Sequence, residues 1–227
     1  KKLFSQTNLY LVAGYALVVL LWLPLRQAAF THPLETNIGE LLRSGFANVP
    51  AILLYLGKIV FPFNLTVLPN LKDSSFVWGL LAVGLLTGGI WLIKENNNRR
   101  ILFGLAWFIA LLVPSFIRPN IKIMPDFLEH RVYLPLFGLL IVVVELGLKN
   151  INLNKQRHLY SVSVAVIGLS LITFFHSQKF ANRIVFWQDA TAGSPSSPLA
   201  WRNLGAMYYL DGKLEKAQPF FEQALER

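Results

Sequence analysis

The charged residues with the clearest chemical potential lie in one short segment, residues 118–131, which leads directly into an uncharged apolar run. Arg131 stands where a helix would begin, and the exposed N–H groups at a helix start favour anions. A guanidinium group pairs bidentately with phosphate oxygens. Arg118 and Lys122 lie close enough in sequence to join Arg131. The segment therefore predicts a phosphate-binding site.

The same segment allows plainer interpretations. Glu129 could pair with Arg131, or Asp126 with Arg118, as structural ion pairs. Asp126, Glu129 and His130 offer three metal ligands within five residues, but no second cluster accompanies them, so no metal site is predicted. The chain has no cysteine, no glycine-rich phosphate loop and no nucleophile–base–orienter arrangement. No catalytic residue is assigned in this chain.

Composition restricts the class of protein. Apolar residues make up 54% of the chain and charged residues only 15%, against about 25% charge in soluble proteins. A water-soluble fold of this composition would expose large apolar patches, so we predict an all-α, polytopic membrane helix bundle. The net charge of +9 indicates basic cytoplasmic loops, and no nucleic-acid partner is predicted.

Five apolar stretches are long enough to cross a membrane, which takes about 20 residues. They are residues 9–25, 76–93, 101–117, 132–148 and 159–175. A sixth stretch, residues 46–63, contains Pro50, Lys58 and Pro62 and could span, re-enter or lie flat on the surface. Lys58 is then either an interfacial lysine with its ammonium in the headgroup layer or a phosphate contact.

Basic loops set the predicted orientation. Residues 94–100 carry a net charge of +2 and residues 149–158 a net charge of +3, and basic loops stay in the cytoplasm. Lys1 and Lys2 also prefer the inside, so residues 9–25 would end on the outside. Both ends of residues 46–63 then lie outside, so we predict an interfacial or re-entrant helix there. The alternative is that Lys1 and Lys2 lie outside. The other segments predicted outside are residues 64–75, 118–131 and 176 onward.

Residues 1–175 form the predicted transmembrane region, and the composition changes from apolar to polar after them. Residues 176–197 are polar and rich in turn formers, which predicts a linker. Residues 198–227 match the tetratricopeptide pattern W-x2-L-G-x2-Y…A-x3-F-x2-A. The matching positions are Trp201, Leu204, Gly205, Tyr208, Ala217, Phe221 and Ala224. They predict a helical hairpin that either binds a protein or peptide or serves as a spacer.

Both ends of the sequence suggest a longer protein. The chain starts with Lys1, without a signal peptide. It stops before one tetratricopeptide unit of about 34 residues is complete, and about three such units are needed to bury the apolar faces. We therefore expect further spans before this segment and further repeats after it.

Several segments resemble one known family. Residues 129–138 read EHRVYLPLFG and resemble the "(A)ERYLYLPSxGf" segment of membrane proteins that carry tetratricopeptide repeats. Those proteins are GT-C-type glycosyltransferases related to the protein O-mannosyltransferases. Residues 55–65 and Trp187-Gln188-Asp189 resemble two further elements of that family, and the order of the parts is the same. The chain departs from the pattern at His130 and at Leu136, where the family prefers Ser.

The resemblance implies an enzyme that moves a sugar from a polyprenyl-phosphate carrier to an acceptor on the extracytoplasmic face. No other cofactor is implied. The family's catalytic carboxylate lies in its first external loop, and nothing in this chain matches it. The resemblance carries over to Glu129, Arg131 and Tyr133. Arg131 is expected to hold the carrier phosphate while Glu129 orients it, and the repeats are expected to bind the acceptor or a protein partner.

Other interpretations remain open. The main alternative is a non-catalytic membrane scaffold whose spans anchor repeats. An O-antigen ligase or polymerase-type enzyme is disfavoured because the late external loop is short, and a transporter because no paired broken helices occur. The predicted location is a bacterial inner membrane with the repeats in the periplasm, and an endoplasmic-reticulum protein would have the same topology.

Overall fold

The computed structural model describes residues 6–29, 37–63, 65–93, 97–117, 124–147, 152 and 154–227. These residues form α-helices, three short 3-10 turns and no β-strand. The helices are α1 Gln6–Ala29, α2 Ile38–Asn48, α3 Ala51–Val60, α4 Val77–Leu92, α5 Asn98–Leu112, α6 Tyr133–Leu146, α7 Gln156–Ser177, α8 Arg183–Gly193, α9 Pro198–Leu210 and α10 Leu214–Leu225. The 3-10 turns are Val113–Phe116, Glu129–Val132 and Gln178–Phe180. The all-α prediction is confirmed.

The chain divides into two compact units. The first, Lys1–Asn37, contains α1, and the second, Ile38–Arg227, contains α2 to α10. In α1 the apolar side chains are exposed throughout the described part of the helix, from Leu9 to Leu25. Such a helix needs an apolar environment rather than water around it.

Among the described residues, three helices are long and apolar enough to cross a membrane: Leu9–Arg26, Asn98–Phe116 and Gln156–Phe180. The other two predicted spans form shorter helices, because α4 has 16 residues and α6 has 14. At a rise of 1.5 Å per residue they extend about 24 and 21 Å, less than the hydrocarbon thickness of about 30 Å. Three candidate spans are therefore established by length and composition, and the total of five stays a prediction.

Small residues bring two pairs of helices into close contact. Gly104 of α5 and Gly138 of α6 face each other so closely that a Cβ atom on either would overlap the carbonyl oxygen of the other. Gly57 of α3 and Gly79 of α4 make a similar approach: a Cβ on Gly57 would lie 2.8 Å from the Gly79 nitrogen, and a Cβ on Gly79 would overlap the Leu53 carbonyl oxygen. Close backbone approach at small residues is the common packing mode of helices in lipid. The main buried cluster lies around these contacts and includes Leu54, Tyr55, Phe108, Leu112 and Leu139.

Residues 46–63, predicted to form one non-spanning helix, contain the end of α2 and all of α3. The break falls at Val49 and Pro50, which form a turn between the two helices. Pro50 has no N–H to donate and so cannot continue the hydrogen-bond ladder of α2. With ten residues, α3 extends about 15 Å and buries Leu54 and Tyr55 against the other helices.

The segments predicted to share the outer side lie in direct contact. Phe127 N–H donates to the Pro69 carbonyl at 2.8 Å, which joins residues 124–128 to the loop before α4. Ser196 Oγ donates to Asp73 Oδ2 at 2.6 Å, which joins the loop after α8 to the same loop. At the opposite end of the α5–α6 pair, Arg100 forms an ion pair with Glu145 at 2.7 Å.

The segment predicted to be a linker, residues 176–197, contains a helix of its own. Asn182 caps α8 by accepting from the Ile184 N–H at 2.7 Å. Ala190 and Ala200 are fully buried in a small cluster with Val67 and Leu68, against which Phe186 and Trp187 pack. The sequence did not predict this helix because only one side of it is buried, and its exposed residues give the segment a polar composition.

Helices α9 and α10 pack against each other in the segment where a tetratricopeptide hairpin is predicted. Gly212 makes the turn with a positive φ of 74°. Leu204 and Ala217 are buried, and a Cβ on Gly205 would meet the Phe221 ring at 3.1 Å. Tyr208 stacks on Phe220 with 5.4 Å between ring centroids. Trp201 Nε1 donates to the Pro195 carbonyl, and Ala224 lines a shallow groove with Phe221.

Candidate functional site

Charged residues from four segments meet near the start of α6. Glu129, in the 3-10 turn before α6, accepts from Lys58 of α3 with 3.0 Å between Lys58 Nζ and Glu129 Oε1. Its second oxygen lies 3.5 Å from His176 Nε2 at the end of α7. Lys179 and Asp189 form a second ion pair at 2.6 Å. We call these five residues the charged cluster.

Packing of α3 against the segment before α6 positions Lys58 and Glu129. Tyr55 lies one helical turn before Lys58, and its hydroxyl donates to the Leu128 carbonyl at 3.4 Å. The Tyr55 ring also contacts the Phe127 ring edge to face, with 6.3 Å between centroids. Both rings are almost completely buried. These contacts of Tyr55 hold Lys58 and Glu129 close to each other.

Burial gives Lys58 an unusual electrostatic environment. Its side chain is only 14% exposed, and this burial lowers its pKa, with the charge of Glu129 acting in the opposite direction. Removing an ammonium from water is costly unless a counter-charge and hydrogen bonds replace the water. Glu129 provides that counter-charge. The structure shows Lys58 as a largely buried lysine paired with Glu129, and the two alternatives considered for it, an interfacial lysine and a phosphate contact, stay predictions.

The second ion pair joins the end of α7 to α8 and to the loop before α4. Lys179 Nζ donates to Asp189 Oδ1 and, at 2.9 Å, to the Leu65 carbonyl. Asp189 Oδ2 accepts from the Val67 N–H at 3.1 Å. Three separate segments are thus connected through two side chains.

His176 is the least satisfied member of the charged cluster. Its side chain is largely buried, and neither ring nitrogen has a hydrogen-bond partner among the described residues. The contact with Glu129 at 3.5 Å is therefore not a hydrogen bond, and it is an ion pair only when the imidazole is protonated. The Phe180 ring contacts the imidazole edge to face at 5.4 Å, which covers one side of it.

Arg131 is paired with Asp126, a combination that differs from both pairs considered from the sequence. Its guanidinium donates to Asp126 Oδ1 at 3.1 Å and to the Asp126 carbonyl at 2.7 Å. Glu129 therefore belongs to the charged cluster through Lys58. A phosphate group near Arg131 would have to share the guanidinium with Asp126 or displace it.

Tyr133 and His130, two further residues considered from the sequence, are not part of the charged cluster. Tyr133 begins α6 and is 76% exposed. His130 is exposed as well. Arg118 and Lys122 lie outside the described residues. No group of three His, Cys, Asp or Glu side chains that could hold a metal ion occurs in the part of the chain that the structure describes.

A pocket of about 290 Å³ opens beside the charged cluster. It lies between α3, the start of α4 and the loop that follows α8. Lys58 and Asp73 line it together with the aromatic rings of Phe61 and Trp78, and Gly193 forms part of the opposite wall. A Cβ on Gly193 would overlap the Thr66 hydroxyl, so the close approach of these two segments requires glycine.

Sequence reasoning identified Glu129 and Lys58 but not His176, Lys179 or Asp73. Asp189 was noted only within the Trp187-Gln188-Asp189 resemblance. One usable signal was the position of His176 and Lys179 directly after the last apolar stretch, where charged side chains adjoin the membrane. Asp73 had no signal, because its role depends on contact with Ser196, 123 residues later in the chain.

Comparison of the chain with models of known protein families, with curated proteins and with solved structures finds no match.

Proposed function

We propose that this chain acts in a membrane glycosyltransferase of the GT-C type, which moves a sugar from a polyprenyl-phosphate carrier to an acceptor on the extracytoplasmic face. One observation carries the proposal. The three segments that resemble the family, residues 55–65, 129–138 and 187–189, all contribute to the charged cluster, through Lys58, Glu129 and Asp189. Three segments that are far apart in sequence thus contribute to one charged cluster, as expected if they bind the same phosphate-containing substrate.

The chemistry of such a transfer fits the residues present. The sugar leaves the carrier as its bond to the phosphate oxygen breaks, and negative charge develops on that phosphate. Cationic side chains in a partly dry site stabilise this charge more than they would in water. Arg131 is proposed to contact the carrier phosphate, with Glu129 and the adjacent Lys58 as positioning residues. The general base is assigned to the family's external loop and to none of this chain's residues.

The proposed topology has five spans, with the charged cluster at the outer surface of a bacterial inner membrane. The loops before α4, before α6 and after α7 would all be periplasmic, and their mutual contacts support this arrangement. The α9–α10 hairpin is proposed to be a tetratricopeptide unit in the periplasm. It would position a protein acceptor or partner near the charged cluster.

The test uses the complete protein reconstituted in liposomes with a radiolabelled polyprenyl-phosphate sugar. Transfer of label to a peptide or lipid acceptor and the affinity for the carrier are measured separately. Arg131→Gln is compared with Arg183→Gln, because Arg183 forms an Arg–Asp pair of the same kind with Asp211 outside the charged cluster. Loss of a charge-assisted contact should weaken carrier binding about tenfold or more in Arg131→Gln, and Arg183→Gln should bind as the wild type does.

The outcomes separate the parts of the proposal. Unchanged carrier affinity in Arg131→Gln removes the role of Arg131. If the wild type neither binds the carrier nor transfers sugar, the proposal that it acts in a glycosyltransferase is wrong.

A second candidate, a membrane-anchored scaffold, is favoured by one feature of the hairpin. An apolar groove on α9 and α10 is lined by Leu199, Phe221, Ala224 and Leu225, and Leu225 is 89% exposed. Exposed apolar grooves commonly mark protein-binding surfaces. A wild-type protein that recruits a partner through this groove but binds no carrier lipid would favour the scaffold.

A further inference from the structure

The pocket beside the charged cluster combines polar side chains with aromatic walls. Phe61 and Trp78 lie on one side with 5.4 Å between ring centroids. Lys58, Asp73 and Ser74 contribute polar groups to its lining. Its volume of about 290 Å³ is at the lower limit of the usual range for small-molecule sites, about 300–1,000 Å³. The pocket therefore suits a ligand about as large as one sugar ring.

Lys58 has hydrogen-bonding capacity that the described residues do not use. Its ammonium has three N–H donors, and the structure shows one hydrogen bond, to Glu129. The other two donors have no partner in the described ranges. Unmet donors on a buried charge are costly. A ligand that places acceptor oxygens in the pocket would relieve this cost.

Asp73 supplies an acceptor on the same pocket. Its Oδ2 atom accepts from Asn70 Nδ2 at 2.7 Å, from Ser196 N–H at 3.0 Å and from Ser196 Oγ at 2.6 Å. Partial burial raises the pKa of Asp73, but these hydrogen bonds outweigh it and hold the pKa below its usual value. The Oδ1 atom of this ionised carboxylate has no hydrogen-bond partner among the described residues.

The charge balance of the lining selects against an anion. Glu129 already compensates the charge of Lys58, so the additional carboxylate of Asp73 leaves the pocket slightly negative. A phosphate or carboxylate ligand would be repelled by Asp73. A neutral ligand with several hydroxyl groups can instead accept from Lys58 and donate to Asp73.

The aromatic walls add a second requirement. The face of an indole ring carries partial negative charge and attracts the slightly positive C–H groups of an apolar ligand face. A pyranose ring has such C–H faces and a rim of hydroxyl groups, which matches aromatic walls beside polar ones. We propose that the pocket between α3 and the start of α4 binds a neutral saccharide unit, with Lys58 and Asp73 as its hydrogen-bonding residues and Trp78 as its stacking surface.

This proposal deepens the proposed function, on which its biological role rests. The sugar of the carrier and a sugar already attached to an acceptor share the same chemistry. Either sugar, bound in the pocket, would contact Lys58 and would therefore lie next to Glu129, to which Lys58 donates a hydrogen bond. Binding of a saccharide can be measured without sugar transfer, so the two proposals are tested independently.

The experiment measures binding of a panel of methyl hexopyranosides and of inorganic phosphate to the complete protein by saturation-transfer NMR. The protein is held in a zwitterionic detergent, because detergents with sugar headgroups would compete. Trp78→Leu is compared with Trp91→Leu, since Trp91 lies in the same helix and is 81% exposed, away from the pocket. At least one hexopyranoside should bind saturably, about three- to tenfold more weakly in Trp78→Leu and unchanged in Trp91→Leu.

A second pair of variants keeps the test open if Trp78→Leu does not fold. Ser74→Ala removes one hydroxyl from the pocket lining, and Ser163→Ala removes one from the exposed surface of α7. Ser74→Ala should weaken the binding and Ser163→Ala should not. The proposal is overturned if no hexopyranoside binds, if phosphate binds in their place, or if pocket and control variants behave alike.

Competition identifies the source of the sugar. Displacement of the bound hexopyranoside by a polyprenyl-phosphate sugar, but not by polyprenyl phosphate alone, assigns the pocket to the donor. Retention of the hexopyranoside in the presence of the donor assigns it to the acceptor. Saccharide binding in a protein that transfers no sugar would support the pocket and contradict the proposed enzyme.

Discussion

Helix α7 and the α5–α6 pair are both strongly apolar, but the structure connects them to their surroundings in different ways. The α5–α6 pair is joined along its length, with Gly104 and Gly138 in direct contact. By contrast, α7 buries none of its residues. Asn152 N–H donates to His158 Nδ1 near its N-terminal end. Its polar contacts with distant segments lie at its C-terminal end, where His176 and the following Lys179 reach the charged cluster.

The comparison shows that hydropathy and packing carry separate information. Both α5 and α7 qualify as candidate membrane spans, so their apolar character alone does not distinguish them. Small residues permit close backbone contact in α5 and α6. The single glycine of α7, Gly168, has nothing within 4 Å of the position where a Cβ would lie. The α5–α6 pair is held mainly by shape, with one ion pair at its end between Arg100 and Glu145, whereas the contacts of α7 with the charged cluster are polar.

The largest predicted effect comes from filling the α5–α6 contact. In Gly138→Val the new side chain would overlap the Gly104 carbonyl oxygen and press on Phe108 N and the Trp107 ring. We expect a loss of about 3 kcal/mol in the free energy of unfolding, because backbone atoms cannot move aside easily. Thermal unfolding in detergent measures the difference.

The matched control for that change is Gly168→Val in α7. The same side chain enters open space there, so stability should change by less than about 1 kcal/mol. Equal losses in the two variants would mean that α7 is packed along its length as α5 and α6 are.

The sequence predicted these helices well because apolar length is a local property. The residues of α1, α5 and α7 fall within the predicted apolar stretches with small differences at their ends, and Glu129 was identified as a site residue. The partners of Glu129 were not predicted. Lys58 and His176 lie 71 residues before it and 47 residues after it, and no local pattern encodes that pairing. Arg131 contacts Asp126, five residues earlier, across the start of the 3-10 turn Glu129–Val132.

A smaller effect is expected from releasing the charged end of α7. Lys179→Met removes the ion pair with Asp189 and the hydrogen bond to the Leu65 carbonyl. Both partners are partly exposed, so solvent reduces the loss to about 1 kcal/mol. Hydrogen exchange at residues 176–180 should increase, while exchange in the α5–α6 contact should stay unchanged.

Lys213→Met is the control, because Lys213 is more exposed and its contact with Asp211 is longer, at 3.6 Å. It should leave both the unfolding temperature and the exchange near the end of α7 unchanged. If Lys179→Met behaves in the same way, the charged contacts do not hold α7, and the contrast with the α5–α6 pair fails.

The smallest predicted effect separates the two kinds of contact by pH. The pKa of Asp73 is lowered in the folded protein because the hydrogen bonds from Ser196 and Asn70 outweigh the opposing effect of burial. The folded state therefore binds a proton less readily than the unfolded chain at this residue. The contribution of Asp73 to stability is present above its unfolded pKa of about 3.8 and is lost as the pH falls through the lower folded value.

Ser196→Ala tests this pH dependence because it removes one of the donors that lower the pKa of Asp73. We expect a fraction of 1 kcal/mol less stability at neutral pH and a smaller loss on acidification than in the wild type, since less of the Asp73 contribution is left to lose. Ser163→Ala should follow the wild-type pH profile of the unfolding temperature.

The glycine contact of α5 and α6 contains no titratable group. Acid should therefore loosen the loop around Asp73 before it separates these helices, and hydrogen exchange below pH 3.8 would show the difference. If exchange increases in both regions together, the polar and apolar contacts form one cooperative unit, and the distinction between contact by charge and contact by shape does not extend to stability.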